Sequence, residues 1–176
     1  MSAQRIRRSS PWAISLVAVG CLIIALGGCA KGRTAAAGNA TGVAADIPVF
    51  SVSVSKFTYS GMPDSVPADK PFRIVFSNNE SFPITHEMVV VQIPAGKTLD
   101  DLVADAKAKG ADSEDDWLHF GEIGEVNTGA TGVGTFDLPP GNYVIACWQD
   151  GKAGGGTGPV HASIGMVKAF TASAQA

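Results

Sequence analysis

Three side chains with metal-binding chemistry lie close together near the C-terminus of the 176-residue chain. Cys147 offers a thiolate, His161 an imidazole and Met166 a thioether, with thirteen residues between the cysteine and the histidine and four between the histidine and the methionine. Sulfur and imidazole are ligands that soft and borderline transition metals prefer. The glycine-rich segment GKAGGGTG lies between the cysteine and the histidine. These residue types favour a shared metal site, and an ordinary loop is the alternative.

His86 adds a second imidazole upstream of this segment. Two imidazoles, one thiolate and a weak axial thioether are the ligands of a blue-copper electron-transfer centre. The residues that complete this set are His86, Cys147, His161 and Met166. Structural alternatives stay open, because histidines also occur hydrogen-bonded in strands or exposed in loops, and cysteine and methionine also pack in cores. Met88 competes with Met166 as the thioether, since it shares a strand face with His86.

The first 28 residues have the pattern of a lipoprotein signal peptide. Three arginines within residues 5–8 precede an apolar stretch at 13–26, whose 14 residues are short for a membrane span and suit a signal-peptide core. The stretch ends in LGGC, which resembles the bacterial lipobox, where the cysteine is lipidated and becomes the mature N-terminus. We therefore expect a lipid anchor on Cys29, at the outer face of the cytoplasmic membrane or in the periplasm. A plain signal peptide or an uncleaved anchor is the alternative.

The distribution of cysteines isolates one thiol. Cys21 belongs to the predicted leader and Cys29 is the predicted lipid site, so Cys147 has no disulfide partner within the mature domain. Outside the cytoplasm a lone thiol persists when it is buried, oxidised or bound to a ligand. This strengthens the expectation that Cys147 binds a ligand.

Two segments follow the leader. Residues 29–45 are small and polar-leaning, which predicts a flexible tether, and residues 46–176 have the composition of a folded, β-rich domain. Without the leader, ten basic residues face sixteen acidic residues, which gives a net charge of −6. An acidic domain without a basic cluster argues against nucleic-acid binding.

Hydrophobic patterning predicts a strand-rich domain. Strands are expected at 50–55, 72–76, 86–93, 143–147 and 166–170, with a further strand-like run ending at Leu138. The strand at 86–93 is apolar on nearly both faces, so we expect it in the interior of its sheet. Cys147 ends its predicted strand, with Tyr143 and Ile145 on the same face. The thiol is therefore expected at the rim of the sandwich.

One segment has helical rather than strand periodicity. Thr98 is a suitable N-cap, apolar residues recur at helical spacing from Leu99 to Ala106, and Gly110 follows as a stop. The acidic run at 112–116 lacks the glycine and terminal glutamate of a calcium loop and predicts a solvated loop. The expected fold class is all-β, a β-sandwich with one short helical insertion at about 98–109.

Three segments of the domain carry a resemblance to a known family. FSNNESFPITH, ending in His86, resembles the plastocyanin segment that leads into its first copper histidine, and PGNYVIAC, ending in Cys147, resembles the cupredoxin strand that ends in the copper thiolate. HASIGMV, beginning at His161, matches the second histidine, four residues and the methionine. The chain is therefore similar to plastocyanin-like cupredoxins over most of 46–176. This resemblance implies a Greek-key β-sandwich, one type 1 copper and an electron-transfer role.

Two departures from the plastocyanin pattern bear on this expectation. Plastocyanin-like sequences place two residues between the cysteine and the second histidine, whereas this chain places thirteen. The longer loop raises the closure cost by about 1.7 kcal/mol, which is small against the roughly 10–16 kcal/mol of a structural metal site. We therefore expect a looser site rather than none. Glu87 also stands where the plastocyanin pattern has asparagine, so we expect altered hydrogen bonding around the ligands and an altered reduction potential.

These observations lead to three function hypotheses. The first is a lipid-anchored carrier of electrons with a single copper, which is not an enzyme and exchanges electrons or copper with a protein partner. The second is a copper storage, delivery or tolerance protein, which the long loop favours. The third is a metal-free, cupredoxin-like recognition module. A multicopper enzyme would need further histidines, and only His119 is left over in the chain.

Overall fold

The computed structural model describes residues 47–153 and 155–174. The strands are β1 Val49–Ser55, β2 Thr58–Ser60, β3 Ser65–Pro67, β4 Phe72–Asn78, β5 Thr85–Gln92, β6 Leu118–Asn127, β7 Thr131–Phe136, β8 Gly141–Ala146 and β9 Val167–Ser173. The helices are α1 Leu99–Lys109 and two 3₁₀ helices, Gly110–Asp116 and His161–Ile164. The predicted signal peptide, the lipid site Cys29 and the tether lie outside the described residues. Within the described ranges, no helix combines the length and the apolar character needed to span a bilayer.

The strands form two sheets. One sheet has the order β2-β1-β4-β7 and the other has the order β3-β9-β8-β5-β6. β1 pairs with β4 and β3 with β9 in parallel, whereas the other pairs are antiparallel. Neighbouring strands are mostly not consecutive in the chain, so connections pass from one sheet to the other. The predicted fold class, an all-β sandwich with one short helical insertion, is confirmed.

The core lies between the two sheets. In β1 the predicted alternation holds, because Val52 and Val54 are buried while Ser51 is exposed. β4 contributes further inward-facing apolar residues in the same alternating pattern. Cys147 and Met166 belong to the same buried cluster. The inter-sheet core therefore extends to the end of the sandwich where the predicted ligands lie.

Strand β5 lies in the interior of its sheet, between β8 and β6, as the sequence predicts. Met88 and Val90 face the inter-sheet core, and Val89 and Val91 face an outer apolar layer. Burial on both faces explains why this strand is apolar almost throughout. Near the start of β5, His86 pairs with Val126 of β6, and the pairing with β8 begins at Val89.

The helical insertion covers the outer face of the five-stranded sheet. α1 begins with the predicted cap, since the Thr98 Oγ1 accepts the Asp101 N–H at 3.2 Å and the Asp101 carboxylate accepts the Thr98 N–H at 2.7 Å. Leu102 and Ala106 bury against the outer side chains of β5 and β8. The helix ends at Gly110, whose φ of 66° suits a residue without a β-carbon.

Four parts of the fold differ from the sequence prediction. The pattern predicts no strand where β6 lies, because exposed polar residues and glycines interrupt its alternation and only Ile123 and Val126 are buried. The short strands β2 and β3 are likewise not predicted. The acidic run at 112–116 forms a 3₁₀ helix rather than a loop, and the strand-like run before Leu138 ends at Phe136.

Candidate metal centre

Three of the predicted ligands come from elements that end at the same rim of the sandwich. His86 is near the start of β5, and Cys147 directly follows β8. These two strands are antiparallel neighbours, with Val89 paired to Ala146, so the histidine and the cysteine lie at one end of the sheet. His161 begins the second 3₁₀ helix. The predicted rim position of the thiol is therefore the one observed.

The donor atoms of these residues converge. The Nδ1 atoms of His86 and His161 are 3.1 Å apart, and the Cys147 Sγ lies 3.3 Å from the His161 Nδ1 and 3.8 Å from the His86 Nδ1. A point equidistant from three atoms with these separations is about 2.0 Å from each, close to the usual 2.0–2.1 Å for metal–nitrogen and 2.3 Å for metal–sulfur bonds. His86, Cys147 and His161 thus form a group that could hold a metal ion.

All three side chains are shielded from solvent. The two nitrogen atoms and the sulfur atom face one another, and the Nε2 atoms of both imidazoles are buried without a hydrogen bond. Buried polar atoms normally have partners, and the two facing Nδ1 atoms can share only one proton between them when both rings are neutral. A metal ion would satisfy all three converging donor atoms at once, so the residues present fit a metal.

Burial also sets the protonation of the metal-free cluster. Loss of solvent lowers the pKa of His161 to about 4, and the neighbouring His86 adds to this effect. The pKa of His86 is lowered by burial too, although the Glu80 carboxylate opposes the shift. Burial raises the pKa of the Cys147 thiol to about 12. The imidazoles are therefore neutral and ready to ligate, whereas the thiol must lose a proton when a metal binds.

Solved structures share this architecture. A reduced auracyanin from the photosynthetic bacterium Roseiflexus castenholzii matches with a TM-score of 0.53 and 18% identity, over 71% of this chain and 96% of the auracyanin. Auracyanin B matches with a TM-score of 0.51 and 22% identity, over 72% of this chain and 88% of its own. Both are cupredoxins. The chain has the cupredoxin fold. No protein-family model and no curated protein sequence matches the chain.

The loop that departs from the plastocyanin pattern is closed at its base in this cupredoxin sandwich. The His161 N–H donates to the Gln149 carbonyl at 3.0 Å, and the Ala162 N–H donates to the Cys147 carbonyl at 2.7 Å. A β-bridge joins Asp150 to Val160 one step further out. The part of the loop beyond these contacts, called the excursion, is thereby reduced to 151–159. The backbone segments next to the two ligands are held together at the end of the sheet. The thirteen-residue spacing does not separate the ligands.

Glycines within this loop allow two of its backbone segments to lie in direct contact. A β-carbon at Gly158 would collide with the carbonyl of Gly151, and Gly151 itself adopts a φ of 145°. The sequence-based expectation of a looser site assumes that the glycines give the loop backbone conformational freedom. At this position the glycine instead provides close contact, which only a residue without a side chain permits.

Glu87 links β5 to the segment that follows the thiol. Its N–H lies 3.5 Å from the Cys147 Sγ, as a donor to the sulfur. Its carboxylate accepts the Trp148 N–H at 2.7 Å and the Gln149 side-chain amide at 2.9 Å. The sequence indicates a departure from asparagine here, and the structure shows the consequence: a buried carboxylate fixes the two residues after Cys147.

Both methionines considered as the thioether ligand are fully buried near the cluster. Met166 donates its N–H to the His161 carbonyl at 3.0 Å, which fixes the turn between the histidine and β9. Met88 follows His86 on the same face of β5. Met166 and Met88 both belong to the core cluster that contains Cys147. Met166 stays the predicted axial ligand, with Met88 as the alternative.

Two residues that the sequence analysis missed lie directly against the imidazoles. The Phe57 ring packs edge-on against His161 at 4.9 Å and against His86 at 5.5 Å between ring centroids. The Glu80 Oε1 lies 3.4 Å from the His86 Nε2, close but not aligned for a hydrogen bond. Glu80 falls inside the plastocyanin-like segment before His86, and only its burial identifies it, which a sequence pattern does not reveal.

His119 and Trp148 lie outside the cluster. The His119 side chain is partly exposed on β6 and forms a hydrogen bond with the Glu114 carbonyl at 3.0 Å, so its role there is structural. The Trp148 ring is buried in the outer apolar layer and donates its Nε1–H to the Ser113 hydroxyl at 2.9 Å. Trp148 therefore packs in the outer layer rather than against the ligands.

Proposed function

We propose that this chain is a single-copper, type 1 electron-transfer protein with His86, Cys147 and His161 as its strong ligands and Met166 as its axial ligand. The observation that carries the proposal is the convergence of two buried imidazole nitrogens and one buried cysteine sulfur at one rim of a cupredoxin fold. Two histidines and one cysteine with a weak thioether are the ligand set of blue-copper sites. Bound copper would supply one-electron chemistry between its Cu(II) and Cu(I) states.

The surroundings of the ligands favour electron transfer over storage. The hydrogen bonds at the base of the loop and those of the Glu87 carboxylate hold the ligand backbone in one arrangement. A site that keeps its geometry exchanges electrons with little reorganisation, whereas release of stored copper requires ligands that move. Storage or delivery is the second candidate, and the long excursion at 151–159 is the feature that favours it.

A metal-free recognition module accounts less well for the same residues. Such a module gains nothing from two imidazole Nδ1 atoms and a thiol sulfur that are buried facing one another with too few protons to pair them all. A metal that takes up these atoms removes the cost. The proposal therefore includes the metal as a resident part of the protein and does not include catalysis.

The proposed location is outside the cytoplasmic membrane, held there by lipid on Cys29. Support comes from the LGGC sequence at the end of an apolar leader, and from a lone thiol at Cys147 that would need protection in an oxidising compartment. The proposed partners are the membrane, through this lipid, and a protein that exchanges electrons or copper with the centre.

A spectroscopic experiment tests the copper site. Addition of Cu(II) to the purified, metal-free protein is expected to produce intense thiolate-to-copper absorption that is lost in Cys147→Ser. Reversible voltammetry with fast self-exchange would support a carrier, whereas slow and irreversible redox with copper release would support storage. A colourless protein with a freely reactive thiol would exclude both copper functions.

A second experiment tests the anchor. Labelled fatty acid is expected to enter the wild-type protein and not Cys29→Ala, and the variant should move from the membrane fraction to the soluble fraction. Cys147→Ser serves as the matched control, because it removes the other predicted functional cysteine and should keep the label. Equal labelling of wild type and Cys29→Ala would contradict the proposed lipid site.

A further inference from the structure

The turn between β1 and β2 has a backbone that its sequence does not favour. Ser55 pairs with Thr58, so Lys56 and Phe57 are the two residues of the hairpin loop. Their φ angles are 50° and 56°. Two-residue hairpin loops with positive φ at both positions favour pairs such as Asn-Gly, because side chains crowd the backbone there. A Lys-Phe pair in this conformation requires support from outside the turn.

Glu80 provides that support with one carboxylate. Its Oε2 accepts the Lys56 N–H and its Oε1 accepts the Phe57 N–H, both at 2.8 Å. Successive backbone N–H groups that point at one anion form a concave anion site. The Glu80 side chain is only 1% exposed, and among the described residues His86 is the only basic side chain that contacts its carboxylate. The buried carboxylate and the unfavourable turn therefore depend on each other.

The carboxylate is itself held in place by a rigid frame. The Glu80 N–H donates to the Asn78 Oδ1 at 3.2 Å. The fully buried Asn78 side chain donates to the carbonyls of Ile84 and Val126 at 2.9 Å each. These bonds join the end of β4 to the segment before His86 and to β6. Glu80 thus acts from a fixed position rather than as a mobile surface acid.

The same carboxylate lies behind one of the two imidazoles. A histidine that ligates through Nδ1 carries its proton on Nε2, and in His86 that atom faces the Glu80 Oε1 at 3.4 Å. Carboxylates placed behind metal-binding histidines orient the ring and strengthen it as a ligand. On the other side, the turn that Glu80 holds carries Phe57, whose ring covers both imidazoles.

We propose that Glu80 is a positioning residue of the metal centre, which holds the Phe57 cover closed and supports His86, so that metal release requires the contact between Glu80 and the turn to open. This inference rests on the proposed function, that the centre holds copper. A bound metal makes the Nε2–H of His86 more positive, which strengthens its electrostatic attraction to the neighbouring Glu80 carboxylate. By reciprocity, the closed turn then strengthens metal binding.

Copper release from the full-length, copper-loaded protein tests the inference. The variants are Glu80→Gln, Phe57→Ala and the two combined, and the measurement is the decay of the thiolate-to-copper absorption in excess EDTA. Each single variant is expected to release copper about tenfold faster or more, the range seen when outer partners of metal ligands are removed. The double variant should release copper no faster than Glu80→Gln alone, since both changes open the same cover. Glu125→Gln makes the same chemical change at an exposed position of β6 and should release at the wild-type rate.

Amide hydrogen exchange gives a readout that does not depend on copper. In the metal-free wild type, the Lys56 and Phe57 amides should exchange slowly for a hairpin turn, because the Glu80 carboxylate binds both. Glu80→Gln should speed exchange at these two amides and leave those of β8 unchanged. If Glu80→Gln does not fold, slow wild-type exchange together with fast copper release from Phe57→Ala supports the inference, and absence of either overturns it.

The outcomes separate this inference from the proposed function. Copper uptake with the wild-type spectrum but wild-type release rates in Glu80→Gln and Phe57→Ala would overturn the inference alone. Additive effects in the double variant would do the same, because they would show two independent contributions. A wild-type protein that takes up no copper would overturn the proposed function and the inference together.

Discussion

The two imidazoles of the centre are equally buried but differently supported. His86 lies near the start of strand β5, where it pairs with Val126 of β6, and the Glu80 carboxylate lies behind its Nε2. His161 begins a four-residue 3₁₀ helix after the long excursion, and the Gly151 backbone rather than a carboxylate lies beside its Nε2. Neither Nε2 forms a hydrogen bond. Position is therefore set by the sheet for one imidazole and by the loop for the other.

This difference explains how the cupredoxin fold accommodates a loop of unusual length. His86 and Cys147 are placed by neighbouring strands, so their separation does not depend on the residues that follow the cysteine. The loop needs only to return one imidazole to that pair. In this chain the return is secured by the hydrogen bond from His161 to Gln149 and by the Asp150–Val160 bridge. Loop length can change as long as its base is closed.

The largest expected effect comes from removing each imidazole in turn from the metal-free protein. His86→Ala should lower the free energy of unfolding by about 3 kcal/mol, because it opens a cavity between fixed strands beside the buried Glu80. His161→Ala should cost about 1 kcal/mol, because its surroundings can relax into the space. Urea denaturation monitored by circular dichroism measures both. Both variants should lose the copper absorption, and equal losses of stability would contradict the asymmetry.

The next effect concerns Glu87, which ties the two sides together. Glu87→Ala leaves the buried Trp148 N–H without its acceptor, and we expect a loss of about 2 kcal/mol in the free energy of unfolding. Glu87→Gln keeps an oxygen acceptor and should cost about 1 kcal/mol or less. Removal of the negative charge beside the thiolate should also raise the reduction potential in Glu87→Gln, as measured by voltammetry. An unchanged potential would show that this carboxylate does not tune the centre.

A smaller effect is expected from a change confined to the loop side. Gly158→Ala places a methyl group against the Gly151 carbonyl, and such overpacking lowers the free energy of unfolding by about 1–3 kcal/mol. Because the strain falls on the loop that carries His161, we expect copper affinity to fall about tenfold, which corresponds to about 1.4 kcal/mol. Gly124→Ala on β6 would meet only the Glu122 side chain, at an ordinary contact distance of 3.8 Å, and serves as the control. A competition titration with a copper chelator measures both, and an affinity unchanged by Gly158→Ala would show that the loop is free to move.

The ligand side chains can be predicted from the sequence, because their chemical types and their order along the chain suffice to identify them. A lone cysteine at a strand end, histidines on either side and a methionine form a rare combination, and the structure brings three of them within bonding distance of one point. The fold class followed from alternation and from the capped helix. β6 cannot be predicted from the sequence, since its alternation is broken by bulges that a sequence pattern does not display.

The residues that surround the ligands are much harder to predict from the sequence. Lys56 and Phe57 carry no turn signal, because the positive φ at both positions is stabilised by Glu80, more than twenty residues away. The closure of the long loop likewise depends on hydrogen bonds between distant residues and on the contact of Gly158 with Gly151, rather than on local turn preferences. Sequence patterns report local preferences, and these features arise where distant contacts override them.

The smallest expected effect comes from the N-cap of α1, a helix that packs in the outer apolar layer together with Val160 and Ala162, the neighbours of His161. Thr98→Ala removes the side-chain cap of α1 and should lower the free energy of unfolding by about 1 kcal/mol. The helix packs on the outer face of the five-stranded sheet, whereas the ligands lie at its rim, so copper absorption and release rate should match the wild type. Thr98→Ser keeps a hydroxyl cap and should restore most of the lost stability. A changed copper release rate in Thr98→Ala would mean that the outer layer, and not only the rim, holds the centre closed.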